Sequence, residues 1–168
     1  GDIGLLSQSG NNAVELLTRG TARGLKFGKV ISYGNGSDIS AAELLDYLGS
    51  DNQTKIIAIY MEGLAAGREF FEALKAAAAK KPVVIHKGGR TASGASAAAS
   101  HTAALAGTNT IWESAIRQGG GYVTKTRDET LDLLIALSLL SPIKGNRAAV
   151  VGGGGGRAVQ AADCCEEN

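Results

Sequence analysis

Apolar residues come in short continuous blocks, and between the blocks they recur at the spacing of one helix face. Residues 3–6 form the first block, and the spacing after Ser7-Gln8-Ser9-Gly10 predicts a helix over about 11–23. Residues 29–32 form the second, followed by a polar loop over 33–37 and a helix over about 40–48. The third block, 55–60, precedes a helix over about 66–79. After the fourth, 82–86, comes a stretch of small residues, 88–107, and a helix near 110–117. A weaker fifth block lies near 121–123, ahead of a helix over about 128–140. Short apolar blocks bounded by turn residues read as strands, and the longer periodic segments as helices.

Strands alternating with helices imply right-handed crossovers and a parallel sheet. Blocks that are apolar throughout, instead of alternating, fit a sheet covered on both faces. The expectation is an α/β domain over residues 1–141: a flavodoxin-like, doubly wound, five-stranded parallel sheet. In that architecture ligands gather beyond the carboxyl ends of the strands. The loops after Leu6, Ser32, Tyr60 and His86 therefore matter most. Pro142 and Gly145 mark 142–147 as a linker. Beyond it, 148–151 reads as a sixth strand, 152–156 as a glycine turn, and a helix starts near Ala158. Residues 148–168 are expected to open a second, similar α/β domain that is cut off.

Composition narrows the classes. The 168 residues carry 17 Lys and Arg against 16 Asp and Glu, a net charge of +1, so the basic face that nucleic acid requires is not expected. No apolar run approaches the roughly 20 residues of a membrane span, and no signal segment is seen at the start. The two cysteines, Cys164 and Cys165, are adjacent and make no disulfide framework, so a reducing, cytoplasmic setting is expected. Glycine is frequent, 24 residues, and clustered between apolar blocks, which points to tight turns where backbone approaches something closely.

Several turns carry candidate chemistry. Ser7-Gln8-Ser9-Gly10 stands between a strand and a helix, where free N–H groups and the helix dipole favour an anion; the same residues also serve as an ordinary N-cap. The run 152–156 has the same context and no side chain to block a phosphate. His101, within Ser100-His101-Thr102, has a side chain that is a good nucleophile near neutral pH, though spacing alone does not separate it from a surface histidine. His86 ends an apolar block and reads as structural or as lining the same crevice. Glu62, at the end of the third strand, can hold an imidazole in one tautomer or can simply be solvated. Asn35 and Asp38 sit in the loop after the second strand. Lys80, Lys81, Lys87 and Arg90 read as a loose, solvated basic cluster, and Trp112 as core.

Taken in order, these segments resemble one family: the NDP-forming acyl-CoA synthetases, relatives of succinyl-CoA synthetase. The carrying residues are Ser7-Gln8-Ser9-Gly10, Tyr33-Gly34-Asn35 with Asp38, Tyr60-Met61-Glu62-Gly63, Lys81-Pro82-Val83-Val84, Lys87-Gly88-Gly89-Arg90, Ser100-His101-Thr102 with Ala106-Gly107, and Gly145-Asn146-Arg147 with Gly153-Gly154. The resemblance implies an ADP-forming reaction, acyl-CoA + ADP + phosphate = carboxylic acid + CoA + ATP, run through a phosphohistidine. It implies that His101 carries the phosphoryl group and Glu62 orients it. It places phosphate at Ser7, Gln8, Ser9 and Gly10 and at Gly153 and Gly154, with Asn35, Ser100 and Thr102 as supporting loop residues. Two departures stand out: Ala103 replaces the usual glycine after Ser-His-Thr, and the last turn is nearly all glycine.

By the same resemblance CoA, ATP or ADP and magnesium bind mainly on CoA-binding and ATP-grasp domains or subunits outside this chain. The substrate is a small carboxylic acid, and the whole enzyme is an oligomer. Two other readings remain open. One is a non-catalytic regulatory or scaffold domain of the same fold, as in a fused protein acetyltransferase. The other is a flavin- or nucleotide-binding module, which 5% aromatic residues serve poorly.

Overall fold

The computed structural model describes residues 1–91, 93, 94, 96, 108–140, 145, 147 and 149–167. Among these, the elements run β1 (Ile3–Ser7), α1 (Gly10–Ala22), β2 (Phe27–Ser32), α2 (Ala41–Ser50), β3 (Ile56–Met61), α3 (Gly67–Ala78), β4 (Val83–Lys87), α4 (Asn109–Gln118), β5 (Tyr122–Thr124), α5 (Arg127–Leu139) and α6 (Gly155–Glu167). The strands form one sheet in the order β2-β1-β3-β4-β5, with every neighbouring pair parallel. The flavodoxin-like order expected from the alternation is therefore what forms. Element bounds shift by one or two residues from the sequence reading.

The sheet is the middle of three layers. Because side chains alternate along a strand, each strand feeds both faces. Leu6, Ile57, Ile59, Val83 and Ile85 pack with Leu45 and Leu48 of α2, Phe70 and Leu74 of α3 and Ile116 of α4. Ile3, Leu5, Ala58 and Val84 pack on the other face with Ala13 and Leu16 of α1 and Leu131 and Leu134 of α5. β1 and β3 are buried along their whole length, which is why they read as unbroken apolar blocks. On α1, Ala13, Leu16 and Gly20 make the inward stripe. Gly20 lets the helix approach closely: a Cβ there would stand 2.8 Å from the Phe27 ring. Arg23 donates to Asp132 at 2.5 Å and Arg19 pairs with Asp128, so α1 and α5 are also joined at their solvent edge.

Two expectations are corrected here. Residues 149–151, read as part of a sixth strand, form no strand. A strand needs a neighbour for its N–H and C=O groups, and the sheet ladders include no partner for this segment. The helix after the glycine run does form, three residues earlier than read, at Gly155. The basic cluster is solvated only in part: Lys80 is exposed, but Lys81 and Lys87 are not. Lys87 is 2% exposed. Lys81 donates to Leu48 O at 2.7 Å and Asp51 O at 2.6 Å, capping the C-terminus of α2.

Candidate functional site

At the carboxyl edge of the sheet the side chains change character within one row. Ile31, Leu6, Ile59, Ile85 and Val123 stand in register across the five strands, all apolar. The next row is Ser32, Ser7, Tyr60, His86 and Thr124, all polar. Hydrogen-bonding groups begin at that row, and beyond it on β3 the core continues to Met61, which is fully buried. The strand order reverses between the parallel strands β1 and β3, whose onward connections run to opposite faces of the sheet, and the loops that follow these strands meet there.

The turn after β1 is tied by its own hydroxyls. Ser7 Oγ, fully buried, donates to Ser9 O at 2.6 Å and accepts from the Ser9 N–H at 3.2 Å. Ser9 is the N-cap of α1: its Oγ accepts from the Asn12 N–H at 3.4 Å, and its carbonyl from the Ala13 N–H at 3.0 Å. The Gly10 and Asn11 N–H groups lie in the first turn, where no intrahelical acceptor exists, and both residues are exposed. Gly10 is not demanded by space, since a Cβ there would meet Ser32 Oγ at an ordinary 3.7 Å.

Gln8 is engaged differently. Its backbone N–H donates to Tyr60 O at 3.0 Å. Its Oε1 accepts from the Glu62 N–H at 2.5 Å and the Gly63 N–H at 3.1 Å, while Nε2 donates to Gly63 O at 3.2 Å. The side chain is a clamp between the β1 and β3 loops, and it fixes the backbone that carries Glu62.

Glu62 is partly buried. Its Oε1 accepts from Tyr60 Oη at 2.8 Å. Burial, and then the carboxylate itself, push the Tyr60 phenol well above its usual range, so it stays protonated and donates. Gly88 closes the third side: a Cβ there would lie 2.7 Å from Tyr60 Oη and 3.2 Å from Glu62 Cγ. Only an absent side chain leaves room for the tyrosine–glutamate pair. Lys87 Nζ, buried beside it, donates to Gly88 O and lies 5.3 Å from the Trp112 ring centroid. Burial lowers its pKa, and the Glu62 charge opposes that shift.

His86 packs its ring against Tyr60, centroids 5.6 Å apart. Its Nδ1 is 3.3 Å from Thr130 Oγ1, which is 2.7 Å from Thr124 Oγ1 and donates to Thr126 O at 2.9 Å. Burial pulls the imidazole pKa down, so it is neutral at pH 7. This matches its reading as a crevice-lining residue.

The structure thus brings Ser7, Gln8, Ser9, Gly10 and Glu62 to one place. Asn35 is exposed in the β2–α2 loop and shares with Gln8, Ser40 and Gly63 the wall of a cavity of about 150 Å³. Gly153 and Gly154 are exposed, with open space where side chains would be, and Gly154 has φ +101°. His101, Ser100 and Thr102 lie outside the described residues. Among the described residues no three His, Cys, Asp or Glu side chains are grouped to hold a metal ion. No helix of the described residues is long and apolar enough to cross a membrane. Sequence reasoning missed Tyr60 and Gly88; the signal was a polar residue two positions before Glu62 and a glycine just past the neighbouring strand.

Comparison with known proteins fits this geometry. The model of the succinyl-CoA ligase like flavodoxin domain matches residues 1–137. The chain is 40% identical over 167 residues to an ADP-forming acetate–CoA ligase I of Archaeoglobus fulgidus, covering 99% of this chain and 24% of that protein. It is 39% identical to the alpha subunit of ADP-forming acetate–CoA ligase I of Pyrococcus furiosus, covering 99% of this chain and 36% of the subunit. Among solved structures, the dinucleotide-forming acetyl-coenzyme A synthetase 1 of Ca. Korarchaeum cryptofilum, determined with phosphate and ADP, superposes with a TM-score of 0.92 at 35% identity, over 99% of this chain and 36% of that one. The chain therefore spans between a quarter and about a third of the length of these relatives.

Proposed function

The chain belongs to the family of succinyl-CoA ligase like flavodoxin domains, and from that premise we propose that it is the phosphoryl-relay domain of an ADP-forming acid–CoA ligase. The observation that carries the reading is the meeting of the α1 N-terminus with Glu62 at the point where the sheet reverses. Phosphoryl transfer needs positioning and charge stabilisation above all. The Gly10 and Asn11 N–H groups, without a partner among the described residues, follow the Ser7–Ser9 turn, and the helix dipole favours an anion beside them. The dianionic group they suit is a phosphoryl group. Glu62, fixed by Tyr60 and Gln8, has Oε2 without a partner among the described residues, and it would accept from an imidazole N–H.

The sequence of steps is then as follows. Phosphate attacks the acyl thioester: a C–O bond forms, the C–S bond breaks, and CoA leaves as the thiol, taking a proton from phosphate. A nitrogen of His101 attacks phosphorus; the N–P bond forms, the P–O bond to the acyl group breaks, and the carboxylate leaves. Glu62 holds the other ring N–H and offsets the positive charge of the phosphorylated ring. A terminal oxygen of ADP attacks phosphorus in turn, the N–P bond breaks, and neutral imidazole returns. Gly153 and Gly154 belong, on this reading, to a second phosphate-holding turn. CoA, nucleotide and magnesium are held by CoA-binding and ATP-grasp domains or subunits that complete the enzyme. The relative named as an alpha subunit supports such partners.

The test uses acetyl phosphate labelled in its phosphoryl group. The label is expected on this chain, chased off by ADP only when the completing domains are added, and absent from His101→Ala. Label retained at full level in His101→Ala contradicts the relay.

A further inference from the structure

A second cavity opens at the same edge of the sheet, on the face opposite His86. It measures about 240 Å³ and lies between the N-terminal halves of α3 and α4. Phe70, Phe71, Ile111, Trp112, Ala115 and Ile116 line it, together with Leu64, two residues past Glu62. No lining residue is charged. Ile111 stands at 67% exposure, far more than an apolar residue needs on a covered helix face. Two ammonium groups lie against lining rings, Lys75 Nζ 5.8 Å from the Phe71 centroid and the buried Lys87 Nζ 5.3 Å from the Trp112 centroid, and neither lysine lines the cavity.

Such a cavity does not suit phosphate or the nucleotide, which need donors and positive charge. It suits hydrocarbon. An empty apolar cavity of about 150 Å³ holds benzene, so 240 Å³ takes a chain of roughly eight carbons. In the proposed reaction the reactant that ends in an uncharged hydrocarbon tail is the acid. We propose that this cavity receives the hydrocarbon part of the acyl group and sets the chain length the enzyme accepts. The identity of the occupant rests on the ligase reading; the cavity's affinity for an alkyl chain does not need the relay. Ala115 and Ile111 are then specificity-determining residues, because a larger side chain at the first shortens the cavity and a charge at the second bars its mouth.

Trp112 is the only tryptophan, so its emission reports occupancy directly. The experiment titrates this chain with sodium acetate, butyrate, hexanoate and octanoate. Saturable changes in Trp112 emission are expected, tightening about fourfold for each added methylene and levelling off near eight carbons. Ala115→Leu is expected to weaken octanoate by roughly tenfold while leaving butyrate nearly unchanged. Ile111→Glu, at an exposed position that the fold does not need, weakens every acid by like-charge repulsion. A chain that binds the acids but takes no phosphoryl group would refute the relay alone. The proposal is overturned by emission that no acid moves up to its solubility limit, by affinity independent of chain length, or by an unchanged octanoate response in both cavity variants. Emission that follows protein concentration and ignores the acids would also overturn it, because the groove would then be covered by a second copy.

Discussion

Glu62 is held from three directions: by the Gln8 side chain at its N–H, by the Tyr60 hydroxyl at its carboxylate, and by the missing side chain of Gly88. Tyr60→Phe removes one hydroxyl and no volume from the core. It is expected to change stability by about 1 kcal/mol, yet to slow phosphoryl uptake by roughly ten- to hundredfold, as loss of an outer partner of an active group does. Thermal melts and phosphorylation rates, measured side by side, check this; equal rates in the two proteins would mean that Tyr60 does not position Glu62. Gly88→Ala should reproduce the slow rate and add a packing cost of about 1–3 kcal/mol. His86 gives a pH dependence. Its folded pKa lies below the ordinary value of 6.5, mainly through burial, with Arg90 lowering it and Thr126 and Glu129 opposing. The unfolded chain therefore binds the proton more readily. Stability from this group is full above about pH 6.5 and is lost as pH falls toward the folded pKa. His86→Gln is expected to flatten the fall in melting temperature between pH 7 and 5; an unchanged slope would contradict it. At this scale the sequence was only partly legible. Ser9 as N-cap and Glu62 at a strand end follow from local rules. Gln8 as a clamp and Gly88 as a gap do not, because the first depends on backbone groups 54 residues away and the second on side chains of the neighbouring strand.

Two helices start on serine caps, and they differ in what lies beyond the cap. Ser40 and Glu43 form a reciprocal capping box on α2: the Ser40 N–H donates to Glu43 Oε2 at 2.9 Å and the Glu43 N–H to Ser40 Oγ at 3.2 Å. Burdened with these bonds and with hydrogen bonding by Ser40, the Glu43 carboxyl is held below its usual range. Ser9 caps α1 directly after Gln8, whose side chain is bonded to the Glu62 loop. Ser9→Ala and Ser40→Ala are each expected to cost about 1 kcal/mol in stability. Only Ser9→Ala should also slow phosphoryl uptake, and matched denaturant melts and uptake rates separate the two effects. Equal rates in both variants would remove α1 from the phosphate site. The elements themselves were legible because each is locally consistent: β1, β3 and β4 are apolar blocks ended by turn residues, and α1 carries its stripe at Ala13, Leu16 and Gly20. The exception, 149–151, shows the limit. An apolar block states that a strand is possible, but whether it forms depends on a neighbour outside the local sequence.

For the molecule as a whole, handedness and connection rules leave few topologies, so the three-layer architecture was readable from the alternation of strands and helices. What is not readable from this chain is how the reaction is completed. The relatives extend well past the segment matched here, and the chain alone is expected to release no CoA from acetyl-CoA in the presence of phosphate and ADP. The central claim is narrower and concerns His101 and Glu62. Its most direct measurement is the intact mass of the protein, His101→Ala and Glu62→Gln after incubation with phosphoramidate. The account predicts one added phosphoryl group on the wild-type chain, lost in mild acid, none on His101→Ala and a clearly lower level on Glu62→Gln. An unmodified wild-type chain, or the same added mass on all three proteins, would contradict it.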